Sequence, residues 1–511
     1  MTSSAIQKVL VLGSGSAGLM SALAIKIRNP QLEVKIVRSP QIGIIQVGEG
    51  SFPHLTKFLH GYLGINPADF YREVRPTWKL GIRYLWGSRP NGFQYTFRTQ
   101  FDSRFKMLSK STGYYCEPEI GYPDIATAMM ELDRAVLHDE KGNPVIDRDH
   151  AYHVENHEFV TFLESYAKQS GVEFHDDEVE EVLTDENGIA GLRLASGVTE
   201  TAGLYVDCSG FRSLLVEKHL GNSFRSYDSS LLCNKAIVGG WTREDEVLKP
   251  YTTAETMDAG WCWQIEHRER INRGYVYSTE FLSDDDAEVE FRSKNPKVTD
   301  TRTVNFRSGI LENPWTKNAV AVGNASGFVE PLEATALGQI AQDAQSIAEI
   351  LAESDYRISH TMAKQHNHRF RRSWENIRQF LAIHYRFNKR LDTPFWKAAR
   401  NDVDIAGAAE FVEYYEENGP NTLFRPTLID RFDQFNLDGY LAMMIGQQVP
   451  HRNRYEPPKA EMEIWRRINA ANHRNALRSY DCATGLEKVE APDWQWNFEF
   501  FRQAWTEIKT V

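Results

Sequence analysis

The chain has 511 residues, with 58 basic and 70 acidic side chains and a formal net charge of −12. That charge excludes the basic face with which nucleic-acid proteins release counterions from phosphate, and 41% hydrophobic with 25% charged residues excludes a disordered or fibrous chain. No window reaches the roughly 18 uninterrupted apolar residues of a membrane-crossing helix, and five scattered cysteines without a CxxC pair argue against zinc and for a reducing cytoplasm.

The N-terminal apolar stretch from Val9 to Ile27 is broken by glycine and serine and preceded only by Lys8, so it reads as mature structure rather than a signal peptide. Val9 to Leu12 is too short for a helix and suits a strand buried on both faces. Gly13-Ser14-Gly15-Ser16-Ala17-Gly18 follows, and then Leu19, Met20, Ala22, Leu23 and Ile27 recur at helical spacing. A GxGxxG between strand and helix is a phosphate-binding turn: Gly13 permits the bend, Gly15 lets backbone approach a pyrophosphate, and Gly18 permits close helix packing. The helix N-terminus adds partial positive charge. Val34, Ile36 and Val37 predict a second strand ending at Arg38, where dinucleotide folds usually carry an acid for the ribose. Arginine there meets a 2′-phosphate or merely solvent, so the motif alone leaves flavin and nicotinamide both open.

Further along, Trp78-Lys79-Leu80-Gly81-Ile82-Arg83-Tyr84 alternates with period two, which predicts one strand with Lys79 and Arg83 on a common face. Taken alone, such a lysine is most simply solvated. Glu158 to Ser170 is helical in pattern and leads to a strand at Gly171-Val172-Glu173-Phe174. Leu204 to Gly210 and Ala319 to Asn324 are two more apolar strands ending in small residues, the second followed by Pro331 and a helix-like stretch to about Ala352. Ser283-Asp284-Asp285-Asp286 reads as a solvated loop or helix start. From about Met362 the pattern is mostly helical, with Trp374, Phe380, Tyr385 and Phe395 reading as packing core, and it ends in Trp494-Gln495-Trp496-Asn497-Phe498. Three apolar strands far apart in sequence, with no internal repeat, predict one large two-lobed flavoprotein rather than tandem domains.

Several segments, in order, resemble the flavin-dependent halogenases, the family that includes the tryptophan halogenases. They are the N-terminal GSGSAG, Val47-Gly48-Glu49-Gly50-Ser51-Phe52-Pro53, the DCSGF of Asp207 to Phe211, Gly260-Trp261-Cys262-Trp263-Gln264-Ile265, the run from Gly323-Asn324-Ala325 through Phe328-Val329-Glu330-Pro331-Leu332-Glu333-Ala334-Thr335, and Gly439 to Pro450. The resemblance implies an α/β fold. Residues 1–360 would form a Rossmann-like FAD-binding core of the flavin monooxygenase type, interleaved with a second, substrate-side sheet at about 75–130 and 220–310. Residues 361–511 would form a helical module over the substrate site.

It further implies that reduced FAD, oxygen and a chloride or bromide ion generate hypohalous acid, which travels through a tunnel to an aromatic substrate. Lys79 matches the family's lysine that captures or hydrogen-bonds the oxidant, and a lysine withdrawn from water has the lowered pKa this needs. Glu333 matches the carboxylate that takes the ring proton or polarises the oxidant and touches substrate. The halide site would be the backbone N–H groups of Thr335 and Ala336. The flavin would be held by Gly13, Gly15, Ser16, Ala17, Gly18, Arg38, Glu49, Val179, Asp207, Gly323 and Leu337, and shielded by Trp261 and Trp263. FADH2 would come from a separate reductase, and a homodimer is compatible with the family. The chain departs from the pattern at Glu266 (for proline), Ala334 (for serine), Ala336 (for glycine) and Arg38. Tyr95 stands where a histidine would stack on substrate, while Phe97 is retained. Tyrosine still offers a face for stacking, which leaves free tryptophan, another indole, a phenol or a larger aromatic open. The alternative activity is aromatic hydroxylation, which has no use for Lys79, and a third reading is a flavin-binding relative without catalysis.

Overall fold

The computed structural model describes residues 5–503 except 44–47, 99–107, 111, 117–120, 148, 431, 498 and 502, so Val47 and Phe498 of the motifs above lie outside the described residues. The three apolar strands are neighbours. Lys8–Leu12, Leu204–Asp207 and Ala319–Ala321 lie side by side in a six-stranded sheet, with Glu33–Arg38 and Glu173–Asp176 beyond the first and Trp315–Thr316 at the far edge. All pairings are parallel except the last. A parallel sheet is covered on both faces, which is why these strands are apolar throughout. The helix Ser16–Arg28 packs its Leu19, Met20 and Leu23 against Ile340, Ala344 and Ile347 of the helix Ala336–Glu353 in one core.

The second layer is a seven-stranded sheet in the order Arg302–Asn305, Lys235–Thr242, Arg270–Tyr277, Gly260–Glu266, Tyr251–Met257, Gly81–Leu85 and Phe93–Thr96. Its core is continuous with the C-terminal helices. Ile82, Tyr84, Trp86, Phe93 and Tyr95 share one apolar cluster with Phe380, Ile383 and Tyr385 of the helix His360–Phe387 and Tyr440 and Leu441 of Asn436–Gly446. A three-stranded sheet, Glu49–Gly50, Ala151–Val154 and Thr77–Lys79, bridges the two layers.

The single strand expected from Trp78 to Tyr84 is split. Thr77–Lys79 pairs with Ala151–Val154, whereas Gly81–Leu85 pairs with Tyr251–Met257 and Phe93–Thr96. The break falls at Leu80, whose N–H donates to the Pro250 carbonyl while its own carbonyl accepts from Phe97. Lys79 and Arg83 therefore part company: Lys79 is fully buried, and Arg83 is half-buried beside the Tyr251 hydroxyl. The Asp284–Asp286 run opens the helix Asp284–Lys294 with Ser283 as its cap. Among the described residues no helix is long and apolar enough to cross a membrane.

Candidate active site

The glycine turn opens a cavity of about 600 Å³ at the carboxyl ends of the central parallel strands, the usual ligand position in such sheets. Gly13, Gly15, Ser16, Ala17, Arg38, Glu49, Val179, Trp263 and Ala336 line it. A Cβ on Gly13 would stand 2.5 Å from the Cys208 carbonyl oxygen, and one on Gly18 1.9 Å from that of Gly13, so neither position admits a side chain. A Cβ on Gly15 would meet nothing within 4 Å. The turn is thus closed everywhere except where it faces the cavity, which is the cradle a pyrophosphate needs, and the site fits FAD.

Five residues expected at the cofactor or halide stand behind this wall: Gly18, Asp207, Gly323, Thr335 and Leu337. The Asp207 carboxylate accepts the N–H groups of Ser209, Leu215 and Val216 and so shapes the loop whose Ser209 to Arg212 do line the cavity. A Cβ on Gly323 would press 2.8 Å from Ala17 Cβ, so this glycine lets two loops close on each other. Arg38 lines the cavity but is already paired, with Glu164 at 2.5 Å and Asp176 at 2.6 Å. Burial pushes the Glu49 carboxyl up, against a hydrogen bond from Asn156.

Beside Gly50 and Thr252, two further residues of the cavity wall, stand Lys79 and a buried aromatic cluster. Lys79 Nζ sits 5.2 Å from the Phe97 ring centroid, and Phe97 packs on Phe52 at 4.7 Å. Tyr95, Phe380 and Phe435 continue the cluster, the last two stacked at 3.9 Å. Burial lowers the Lys79 amine from 10.5 to about 7, although the Glu333 carboxylate pulls the other way. No described residue hydrogen-bonds that amine.

Glu333, wholly buried, ends the short helical turn Pro331–Glu333. Ala334 follows in the left-handed region at φ 54°, a conformation costly for alanine, and turns the chain into the helix Ala336–Glu353. That helix start leaves N–H groups without intrahelical partners, and they are the donors expected to hold an anion at Thr335 and Ala336. Glu333 Oε1 accepts the Tyr84 hydroxyl and lies 2.8 Å from His384 Nε2. His384 Nδ1 faces the Phe380 carbonyl at 2.7 Å. A carbonyl only accepts, so Nδ1 carries a proton and a second proton must lie between Nε2 and Glu333. The other oxygen, Oε2, is buried without a partner among the described residues. Neither Tyr84 nor His384 was expected from sequence. Tyr84 follows in the same motif as Lys79, but nothing in its residue type marks it, and His384 is one of four histidines in a 28-residue helix.

The Trp261 and Trp263 ring centroids lie 5.9 Å apart. Trp263 lines the large cavity and lies over Gly274 of the adjacent strand, where a Cβ would stand 1.9 Å from its ring. Trp261 donates to Glu330 at 3.3 Å. Burial raises the Glu330 carboxyl to about 7, partly offset by hydrogen bonds from Tyr385, Trp261 and Cys233.

A dinucleotide-type cavity beside a buried amine and carboxylate is the layout of a cofactor-dependent enzyme. The sequence model of the tryptophan halogenase family matches residues 8–462. The chain is 30% identical to the tryptophan 6-halogenase ThaL of Streptomyces albogriseolus over 451 residues, 82% of this chain and 83% of that protein. It is 31% identical to the tryptophan 7-halogenase KtzQ of Kutzneria sp. over 459 residues, 84% and 85% of the two chains. Among solved structures, MibH, a lathipeptide tryptophan 5-halogenase, superposes with a TM-score of 0.87 at 39% identity, covering 95% of this chain and 94% of that one. BrvH, a flavin-dependent halogenase from Brevundimonas sp. BAL3, gives 0.84 at 26% identity, covering 95% and 99%. The chain belongs to the tryptophan halogenase family of flavin-dependent halogenases, and with that membership come FAD and a halide ion.

Proposed function

We propose that the protein halogenates an electron-rich aromatic, an indole foremost, with hypohalous acid made in the large cavity and used at the aromatic cluster. The observation that carries this reading is a pair of buried, unpartnered polar atoms on interacting residues, Lys79 Nζ and Glu333 Oε2. Leaving such atoms unpaired costs about 1–3 kcal/mol each, a cost a fold tolerates where a ligand completes them. The glycine turn would hold FAD, which, reduced by a separate reductase, would supply the two electrons that take oxygen to the peroxide level at which it oxidises halide. Lys79 captures or hydrogen-bonds the oxidant. The aromatic carbon then takes the halogen, the bond from halogen to its carrier breaks, and the ring proton passes to Glu333, which His384 and Tyr84 hold in place. Trp261 and Trp263 keep the aromatic away from the flavin, the arrangement that separates halogenation from hydroxylation. ThaL and KtzQ are named for tryptophan and MibH for the tryptophan of a lathipeptide, so the indole is the shared element and its carrier is what differs. The five free thiols accord with a reducing cytoplasm.

The test supplies purified protein with FADH2, oxygen, bromide and, in turn, indole, free tryptophan and a tryptophan-containing peptide. A brominated product supports the reading, a hydroxylated product would assign the protein as a monooxygenase, and no product from any acceptor would assign it as a flavin binder. Lys79→Ala should abolish bromination while reduced flavin is still consumed by oxygen. Bromination that survives this substitution removes Lys79 from the mechanism.

A further inference from the structure

The polar groups between the large cavity and Lys79 form a chain with a readable direction. The bridging sheet sets Gly50, His153 and Thr77 beside one another on its three strands. Thr77 Oγ1 lies 2.5 Å from the Glu266 carbonyl oxygen and 3.3 Å from His153 Nδ1, and His153 Nε2 lies 2.9 Å from Thr252 Oγ1. His153 and Thr77 are buried, and Thr252 is 7% exposed, at the edge of the flavin cavity.

The carbonyl at one end settles every proton. It only accepts, so the Thr77 hydroxyl donates to it, and the Thr77 oxygen is then the acceptor for His153 Nδ1–H. Burial, with the Arg243 charge adding to it and a hydrogen bond to the Glu266 carbonyl opposing it, holds the imidazole well below its ordinary 6.5 and therefore neutral. A neutral ring with its proton on Nδ1 has a bare Nε2, which takes the Thr252 hydroxyl proton. Thr252 consequently has no proton left to give and turns lone pairs toward the gap.

Across that gap stands the amine. A Cβ on Gly50 would lie 3.2 Å from Lys79 Nζ, 3.3 Å from Thr252 Oγ1 and 3.5 Å from His153 Cδ2. The amine and the hydroxyl are not hydrogen-bonded to each other; both stand over Gly50, the acceptor on the cavity wall and the amine beyond it.

The geometry points to Thr252 as the acceptor that takes the O–H of hypohalous acid leaving the flavin cavity, with His153 as the positioning residue that fixes Thr252 in this role. Held by its O–H, the oxidant presents its halogen to Lys79. In the transfer that follows a nitrogen–halogen bond forms, the oxygen–halogen bond breaks, and the oxygen leaves as water with the proton displaced from the amine. This inference rests on the reading of Lys79 given above and adds to it the group that orients the oxidant.

Two measurements test it. The first needs no turnover: a spectrum of protein labelled with 15N-histidine, with the His153 signals identified by their loss in His153→Gln, should show Nδ1 protonated and Nε2 bare. A proton on Nε2 overturns the proposal. The second compares Thr252→Val, which keeps the shape and removes the acceptor, with Thr252→Ser, which keeps the acceptor, in reactions with FADH2, oxygen, bromide and indole. Bromoindole formed per flavin oxidised should fall by about tenfold or more in Thr252→Val, with more oxidised bromide caught by a soluble trap, and should return to within about twofold of the parent in Thr252→Ser. An unchanged ratio in the valine variant, or a serine variant as poor as the valine one, overturns it. Failure of the underlying reading looks different: Lys79→Ala would brominate indole as well as the parent, while the tautomer measurement still decides the direction of the chain.

Discussion

Lys79 is held against its own chemistry, and replacing it with the nearly isosteric, uncharged methionine should stabilise the fold while destroying the activity. The amine falls from 10.5 to about 7 on folding, which at about 1.4 kcal/mol per pH unit is a cost of about 5 kcal/mol to the folded state when the group is charged in the unfolded chain. The sign follows from proton counts. Between pH 7 and 10.5 the unfolded chain binds more protons than the folded one, so the contribution of Lys79 to stability rises with pH across that window, and the cost is largest below pH 7. Lys79→Met removes the cost. At about 2.1 cal/mol/K of unfolding entropy per residue, 5 kcal/mol over this chain corresponds to a rise in Tm of about 5 °C at pH 6.5. By pH 9 the gain should shrink to about 2 kcal/mol, or about 2 °C. Scanning calorimetry of the parent and Lys79→Met at the two pH values reads both numbers. A variant no more stable than the parent at pH 6.5, or a gap that does not narrow at pH 9, refutes the burial argument and with it the neutral amine on which the proposed chemistry depends.

Glu333→Gln keeps a hydrogen-bonding side chain between Tyr84 and His384 but cannot take a ring proton, so bromination of indole should slow by roughly 10² or more, and a rate equal to the parent's would assign Glu333 to structure. Gly18→Ala places a methyl group 1.9 Å from the Gly13 carbonyl oxygen and should expel FAD from the turn, read as loss of flavin binding in equilibrium dialysis. Binding at the parent's affinity would show that the turn yields.

The parallel layer was legible because its signals are local and repeated. Four apolar residues, a glycine turn and a helical stripe lie consecutively from Val9 to Ile27, and a strand buried on both faces has no alternative to being apolar. The same holds for Leu204–Asp207 and Ala319–Ala321, although the pairing of the first with Lys8–Leu12 and of the second with the first each spans more than a hundred residues. Arg38 shows where local reading stops: a strand-end arginine is open to phosphate or solvent until Glu164 and Asp176, from two other elements, are seen to occupy it.

Residue order along the chain thus specified the dinucleotide turn, the alternation around Lys79 and the carboxylate run at Glu333, since each depends on neighbours within a few positions. It did not specify that the strand breaks at Leu80, that His384 and Tyr84 stand behind Glu333, or that Thr252 and His153 face the amine. Those depend on which surfaces meet once sheets and helices close on a common core. Burial, which moves the Lys79 pKa, and the carbonyl that orients the His153 chain both come from residues far away in sequence, and a proton's position is set by distances of a few ångströms that only the closed fold supplies.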